Sequence, residues 1–280
     1  MTWTNCMKHW LRAGLALGLA VLTGQAAAQL KTADNPEANP VWQKVRASLF
    51  AGRTIESPGG DLLTLDAPAR AEDAAIVPMA MRTRLPAGDT RQVTRLYLII
   101  DNNPSPIAAV FDFARGNRQA DIETRVRVDE YTHVRAIAEL SDGRLVMATR
   151  FVKASGGCSA PPSKDAQAAL ANLGKMRLRV DGELRSGQPA LVQLMISHPN
   201  HSGLAMDQST RQYTPAHFVR RVTVSYAGEP VLSADLDFAL SENPNLRFHF
   251  VPQRDGVLKA EVVDTQDLRF ESTLALVPAR

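Results

Sequence analysis

The chain has 280 residues, 45% apolar and 22% charged, an ordinary globular usage that excludes a disordered or fibrous protein. Lys and Arg together exceed Asp and Glu by only three, so no polycationic surface argues for nucleic acid. The length accommodates one large or two small domains.

The N-terminus carries Lys8 and Arg12, then the apolar run Ala13–Leu22, then the small-residue exit Ala26-Ala27-Ala28. This order reads as a secretory signal peptide over residues 1–28, cleaved after Ala28. The run is too short for a membrane span of about 20 residues. Cleavage would leave 30 basic against 29 acidic residues, in an exported protein expected in the periplasm without membrane insertion. Of the two cysteines, Cys6 leaves with the signal and Cys158 stays alone. A lone cysteine in an oxidising compartment marks a free reactive thiol.

Residues 29–74 form an N-terminal segment with one helix over 40–50. Asn39 can cap it, Pro40 suits its first position, and Val41, Val45 and Leu49 share a face. From residue 75 the period becomes two. Val77–Arg82, Val93–Asp101 and Ile107–Phe113 are predicted strands. Ile122, Thr124, Val126 and Val128 alternate with charged residues, and Val134, Ala136, Ala138 and Leu140 alternate with Arg135, Ile137 and Glu139. Ser141-Asp142-Gly143-Arg144 turns the chain into Leu145–Lys153.

Residues 175–280 repeat the style, with strands at Met176–Val180 and Ala190–Ser197 and around Val222–Tyr226, Leu232–Phe238, Leu246–Phe250 and Leu258–Val262. The expected class is therefore all-β: a β-sandwich over 75–154, an arm and linker helix over 155–174, and a second sandwich over 175–280.

Ser155-Gly156-Gly157-Cys158-Ser159-Ala160-Pro161-Pro162 interrupts the strands, since two prolines and two glycines cannot make a central one. Ser163 can cap a short helix over 164–173, which Gly174 ends. Cys158 thus sits on permissive backbone, with Gly156 and Gly157 as a flexible arm reaching about 13 Å from the strand end. An unshielded thiolate there could take part in thiol–disulfide exchange or form a persulfide. No His or Asp adjoins it in sequence to form a hydrolase pair.

Four other groupings are weighed. His198, His201 and His217 have metal-type spacing but are read as turn or domain contacts, so no metal is expected. His133 and His249 are placed on wet faces. Asp235 and Asp237 are read as one solvated strand face rather than an acid–base pair. Arg82, Arg84, Arg91 and Arg95 are read as a solvated basic face.

Ala136-Ile-Ala-Glu-Leu-Ser-Asp-Gly143, Met147-Ala148 and Val152-Lys153, leading into Gly156-Gly157-Cys158, resemble the SoxY subunit of the bacterial sulfur-oxidation carrier. Asn103-Pro104-Ser105-Pro106 and Phe111-Asp112-Phe113 resemble it too. In the second half, Ile196-Ser197-His198-Pro199, Pro215-Ala216-His217-Phe218, Gly228-Glu229-Pro230-Val231-Leu232 and Asn243-Pro244 resemble its partner, SoxZ. The fused order resembles the SoxYZ-like carriers associated with quinoprotein dehydrogenases.

The resemblance implies immunoglobulin-like sandwiches packed on each other within one chain. It also implies covalent sulfur attachment at Cys158, no catalytic constellation and no cofactor. The implied partners are periplasmic sulfur-oxidising enzymes, c-type cytochromes and a quinoprotein dehydrogenase. In the family pattern the arm ends the chain; here it is tethered on both sides. The other expectation is a binding or assembly module for a quinoprotein dehydrogenase or cytochrome, with Cys158 incidental.

Overall fold

A computed structural model of the chain describes residues 35–57, 60–116, 119–161, 166–207 and 210–280. The expected signal at 1–28 and the expected cap at Ser163 lie outside these. Two compact units divide the chain, residues 1–49 and 50–280.

In the first unit, helix α1 (Pro40–Phe50) begins where expected. The Asn39 side chain accepts from the amides of Val41 (2.8 Å) and Trp42 (3.2 Å), satisfying two donors that a helix start leaves open. The Trp42 indole N–H donates to Glu37 at 3.0 Å.

The second unit holds the strands. They are β1 (Ile55–Glu56), β2 (Leu63–Asp66), β3 (Val77–Thr83), β4 (Val93–Ile100), β5 (Ile107–Phe113), β6 (Ile122–Val126), β7 (Thr132–Leu140) and β8 (Leu145–Val152). After helix α2 (Ala166–Ala171) come β9 (Met176–Asp181), β10 (Ala190–Ile196), β11 (Val219–Tyr226), β12 (Glu229–Leu236), β13 (Asn245–Phe250), β14 (Gly256–Asp264) and β15 (Arg269–Leu276). The all-β class is the observed one. No described helix is long and apolar enough to cross a membrane.

Turn chemistry delivers the hairpins. Gly143 supplies the positive φ between β7 and β8, and the Asp142 side chain accepts from the Arg144 amide at 3.0 Å. Ala227 and Gly228, both at positive φ, close the two-residue turn between β11 and β12. The strand expectations omit β1, β2 and β15. The first two are short; β15 does alternate, with Phe270, Ser272, Leu274 and Leu276 turned inward and mostly half-buried, and its period was legible in the sequence.

The strands form two sheets, ordered β1-β8-β7-β4-β5-β12-β11-β14-β15 and β2-β3-β6-β13-β10-β9. Each half of the chain gives strands to both sheets. The halves join edge to edge: β5 pairs antiparallel with β12, from Phe113↔Leu232 to Ala109↔Leu236, and β6 pairs with β13 at Glu123↔Arg247 and Ile122↔Phe248. One contiguous apolar core runs between the sheets through both halves, including Val77, Leu96, Phe111, Ile122, Val222, Phe248 and Val262.

One dry and one wet face is the expectation for β7, and the structure corrects it. This strand is buried on both faces. Its Arg135 is fully buried and forks onto Asp101, with the guanidinium Nη2 2.8 Å from the carboxylate. The fork satisfies both charges where water is excluded. His133 is buried too and packs edge-on against Phe151, so it does not lie on a wet face.

Candidate functional site

The loops after β6, β8 and β10 and the turn at Ala74 before β3 meet around Cys158. After β6 the chain runs through Arg127, Val128 and Asp129; after β8 it runs through Ala154 to Cys158. The Val128 amide donates to the Ala74 carbonyl (2.8 Å), Gly157 N–H donates to the Val128 carbonyl (3.0 Å), and Gly156 N–H donates to the Asp129 carbonyl (2.8 Å). The Asp129 carboxylate then accepts from the Cys158 amide at 3.2 Å. From the second half, the Ser202 hydroxyl donates to the Cys158 carbonyl at 2.5 Å. The residues around the cysteine are therefore tied to three separate segments.

This corrects the expected solvent-held arm. Cys158 is a free cysteine with none of its surface exposed. The two glycines give this loop its fit. Gly156 has a φ of +77°, a conformation that side chains with a Cβ rarely adopt. A Cβ on Gly157 would lie 2.1 Å from the Ala74 carbonyl oxygen, so only glycine lets the two backbones approach. What reads in sequence as freedom is, in the folded loop, a requirement of close packing.

Burial, with charge around the sulfur, keeps it protonated. Burial is the largest cause pushing the Cys158 thiol up, to about 12; the carboxylate of Asp129 adds to this, the Arg127 guanidinium opposes it, and Asp237 adds further. At neutral pH the thiol form therefore dominates in this conformation. The carboxyl of Asp237 is itself raised by burial, offset by the Ser105 hydroxyl and the Ala239 and Phe238 amides. Asp235, two residues before it, is exposed and pairs with Arg221 at 2.6 Å. The single solvated face expected for Asp235 and Asp237 is thus split between surface and site.

Arg127 and Ser202 link this site to the second half. The buried Arg127 donates from Nη2 to the Asn200 carbonyl at 3.2 Å. The Asn200 side chain donates to the Leu240 carbonyl (3.0 Å) and accepts from the Val219 amide (2.9 Å). Sequence reasoning missed Arg127, Asp129, Asn200 and Ser202. All four lie in the loops after β6 and β10, and nothing in their spacing marks them as neighbours of Cys158.

Behind Asn200 lie His198, His217 and Asp264, with possible ligand atoms within 4.8 Å of one another. The hydrogen bonds assign them a different role. His198 Nδ1 accepts from the Asn200 amide at 3.0 Å, so the ring hydrogen sits on Nε2, which faces Asp264 Oδ2 at 3.5 Å. A nitrogen carrying that hydrogen has no lone pair for a metal. His217 Nε2 lies 2.7 Å from the same oxygen, and Asp264 Oδ1 accepts from the Gln266 and Leu268 amides at 2.8 and 3.0 Å. The trio is a buried hydrogen-bonded brace at the foot of the loop bearing Asn200 and Ser202.

The four arginines grouped in sequence do not act as one patch. Arg82 pairs with Asp66 and Glu123, Arg91 with Asp89 and Asp142, and Arg95 with Asp112.

Two strand-rich halves sharing two sheets, with one free thiol at the loop between them, define a cysteine-bearing all-β protein. Acidic and basic side chains, rather than a histidine base, act on that thiol. The family model "Sulfur oxidation protein SoxY" matches residues 46–158, ending on the cysteine, and "Sulphur oxidation protein SoxZ" matches residues 178–275. The chain belongs to this sulfur-oxidation family, with SoxY and SoxZ fused in one polypeptide.

No curated protein matches the chain. Among solved structures it is similar to the superoxide reductase of Ignicoccus hospitalis, at 15% identity and TM-score 0.29 over 45% of this chain and 100% of that one. It is also similar to the two tandem V-type regions of VCBP3, a v-region-containing chitin-binding protein, at 11% identity and TM-score 0.25 over 77% and 99%. These likenesses are too distant to inform function.

Proposed function

We propose that the chain is a periplasmic covalent carrier of sulfur intermediates. Cys158 is the attachment point, and Gly156 and Gly157 are the loop residues that release it. The observation that carries this reading is the position of the one free thiol among the described residues at the last residue of the SoxY match. The protein is then cargo-bearing rather than catalytic, and sulfur-oxidising enzymes and c-type cytochromes act on what it holds.

The chemistry is exchange at sulfur. The Cys158 thiol loses its proton to solvent once the loop opens and the opposing carboxylates separate from it. The thiolate attacks one sulfur of an S–S-bonded donor. A new Sγ–S bond forms as the donor S–S bond breaks, and its electron pair leaves on the departing sulfur, so no outside oxidant is needed. Because a thiol near pKa 12 is unreactive, loading requires a conformation other than the closed one.

The burial of Cys158 favours one second reading, an assembly module for a quinoprotein dehydrogenase or cytochrome in which the thiol packs the seam between the halves. Intact-mass measurement after incubation with tetrathionate separates the two. A carrier gains one reductant-labile adduct, lost in Cys158→Ala, and the rate rises steeply in mild denaturant that opens the loop. A chain that stays unmodified in native buffer, while Cys158→Ser supports wild-type sulfur oxidation, is the module.

A further inference from the structure

The outer face of the six-stranded sheet carries an open cavity of about 580 Å³ that shares no lining residue with the Cys158 site. Four arginines line it, Arg82, Arg125, Arg150 and Arg247, against two carboxylates, Asp66 and Glu123. The carboxylates are already engaged. Glu123 receives Arg247 at 2.6 Å and Arg82 at 3.2 Å, and Asp66 receives Arg82 at 3.5 Å.

Strand register explains who is left over. Glu123 sits opposite Arg247 on β13, whereas Arg125, two residues along β6, sits opposite Pro78 on β3. Arg125 has no ion pair or side-chain hydrogen bond among the described residues, and its Nε is buried without a partner. The buried Nε of Arg247 is also unpartnered. Arg150 reaches only its neighbour's carbonyl, that of Thr149, at 3.4 Å.

Arg125 and Arg150 line the cavity with no acidic partner among the described residues, and guanidinium groups so placed fit a planar or tetrahedral oxyanion. The remaining wall is apolar, with Pro68, Pro78 and Met79. The volume lies within the range of small-molecule pockets and well beyond one inorganic ion.

We infer that this cavity binds a small organic oxyanion, a carboxylate or sulfonate on a short apolar body, held by Arg125 and Arg150 with the apolar wall beneath. The inference does not depend on cargo at Cys158.

Isothermal titration of the full chain with hexanoate and hexanesulfonate tests it, with hexanol as the uncharged control. The expected result is saturable 1:1 binding of both anions, weakened about tenfold in Arg125→Gln and in Arg150→Gln. Arg150 is exposed, so its variant keeps the test sound if Arg125→Gln folds poorly. Arg254→Gln, in a separate cavity lined by Arg115, Tyr226 and Phe250, leaves the affinity unchanged. Absent binding, wild-type affinity in both Arg125→Gln and Arg150→Gln, or hexanol binding as well as the anions overturns the inference. So does hexaglutamate binding more tightly than either anion, which assigns the groove to an acidic protein segment.

Discussion

His198 shows how burial can dominate a residue's chemistry. Its ring is held neutral at a pKa of about 4, first by burial and then by the nearby His217, with Asp264 opposing both and His201 adding slightly. In the unfolded chain the same imidazole titrates near 6.5. The folded value is depressed, so the unfolded state binds the proton first as pH falls. Its contribution is fully present above about pH 6.5 and is lost progressively toward pH 4, on the order of 3 kcal/mol. Denaturant midpoints measured across this window should fall for the wild type and fall much less for His198→Gln. The spacing of His198, His201 and His217 was legible in the sequence. Which ring nitrogen carries hydrogen was not, because the amide of Asn200 decides it. Cys158 follows the same logic with the opposite sign: it is a thiol kept protonated by burial and by Asp129 and Asp237.

At the scale of elements, the loop after β8 does the most for function. Gly157 N–H and Gly156 N–H knit it to the loop after β6, and Ser202 reaches over from the second half. Gly157→Ala forces a methyl group against the Ala74 carbonyl. It should cost roughly 3 kcal/mol or more if the loop holds, and raise the alkylation rate of Cys158 by iodoacetamide if the loop is expelled. Native-state alkylation followed by mass measurement reads the second outcome directly. An unchanged rate together with unchanged stability would mean that the backbones do not approach as closely as described. Sequence reasoning located this segment because prolines and glycines interrupt the strand pattern. It took the glycines for mobility because the partner backbone, Ala74 and Val128, lies 83 and 29 residues away along the chain from Gly157.

For the molecule as a whole, the decisive feature is that the sheets do not stop at the junction of the halves. Residues 175–280 alone would expose the edges of β12 and β13, which β5 and β6 cover in the full chain. Unpaired edges with buried apolar faces beside them recruit other chains. That fragment should therefore self-associate in size-exclusion chromatography, where the full chain runs as a smaller, discrete species. Calorimetry of the full chain should show the strand-bearing unit unfolding in one transition rather than two. A monomeric, stable fragment would mean that the β5–β12 and β6–β13 pairings contribute little.

The sequence by itself determined the class of structure, most strand and turn positions, the helix cap at Asn39 and the family, since these depend on residue period, local backbone preference and short motifs. It also isolated Cys158 as the residue to watch. Only the tertiary structure decided that this sulfur is covered, that Arg135 and His133 are buried and that Arg125 is left without a partner. Burial and pairing are set by what packs across from a residue, and those neighbours come from segments distant in the chain.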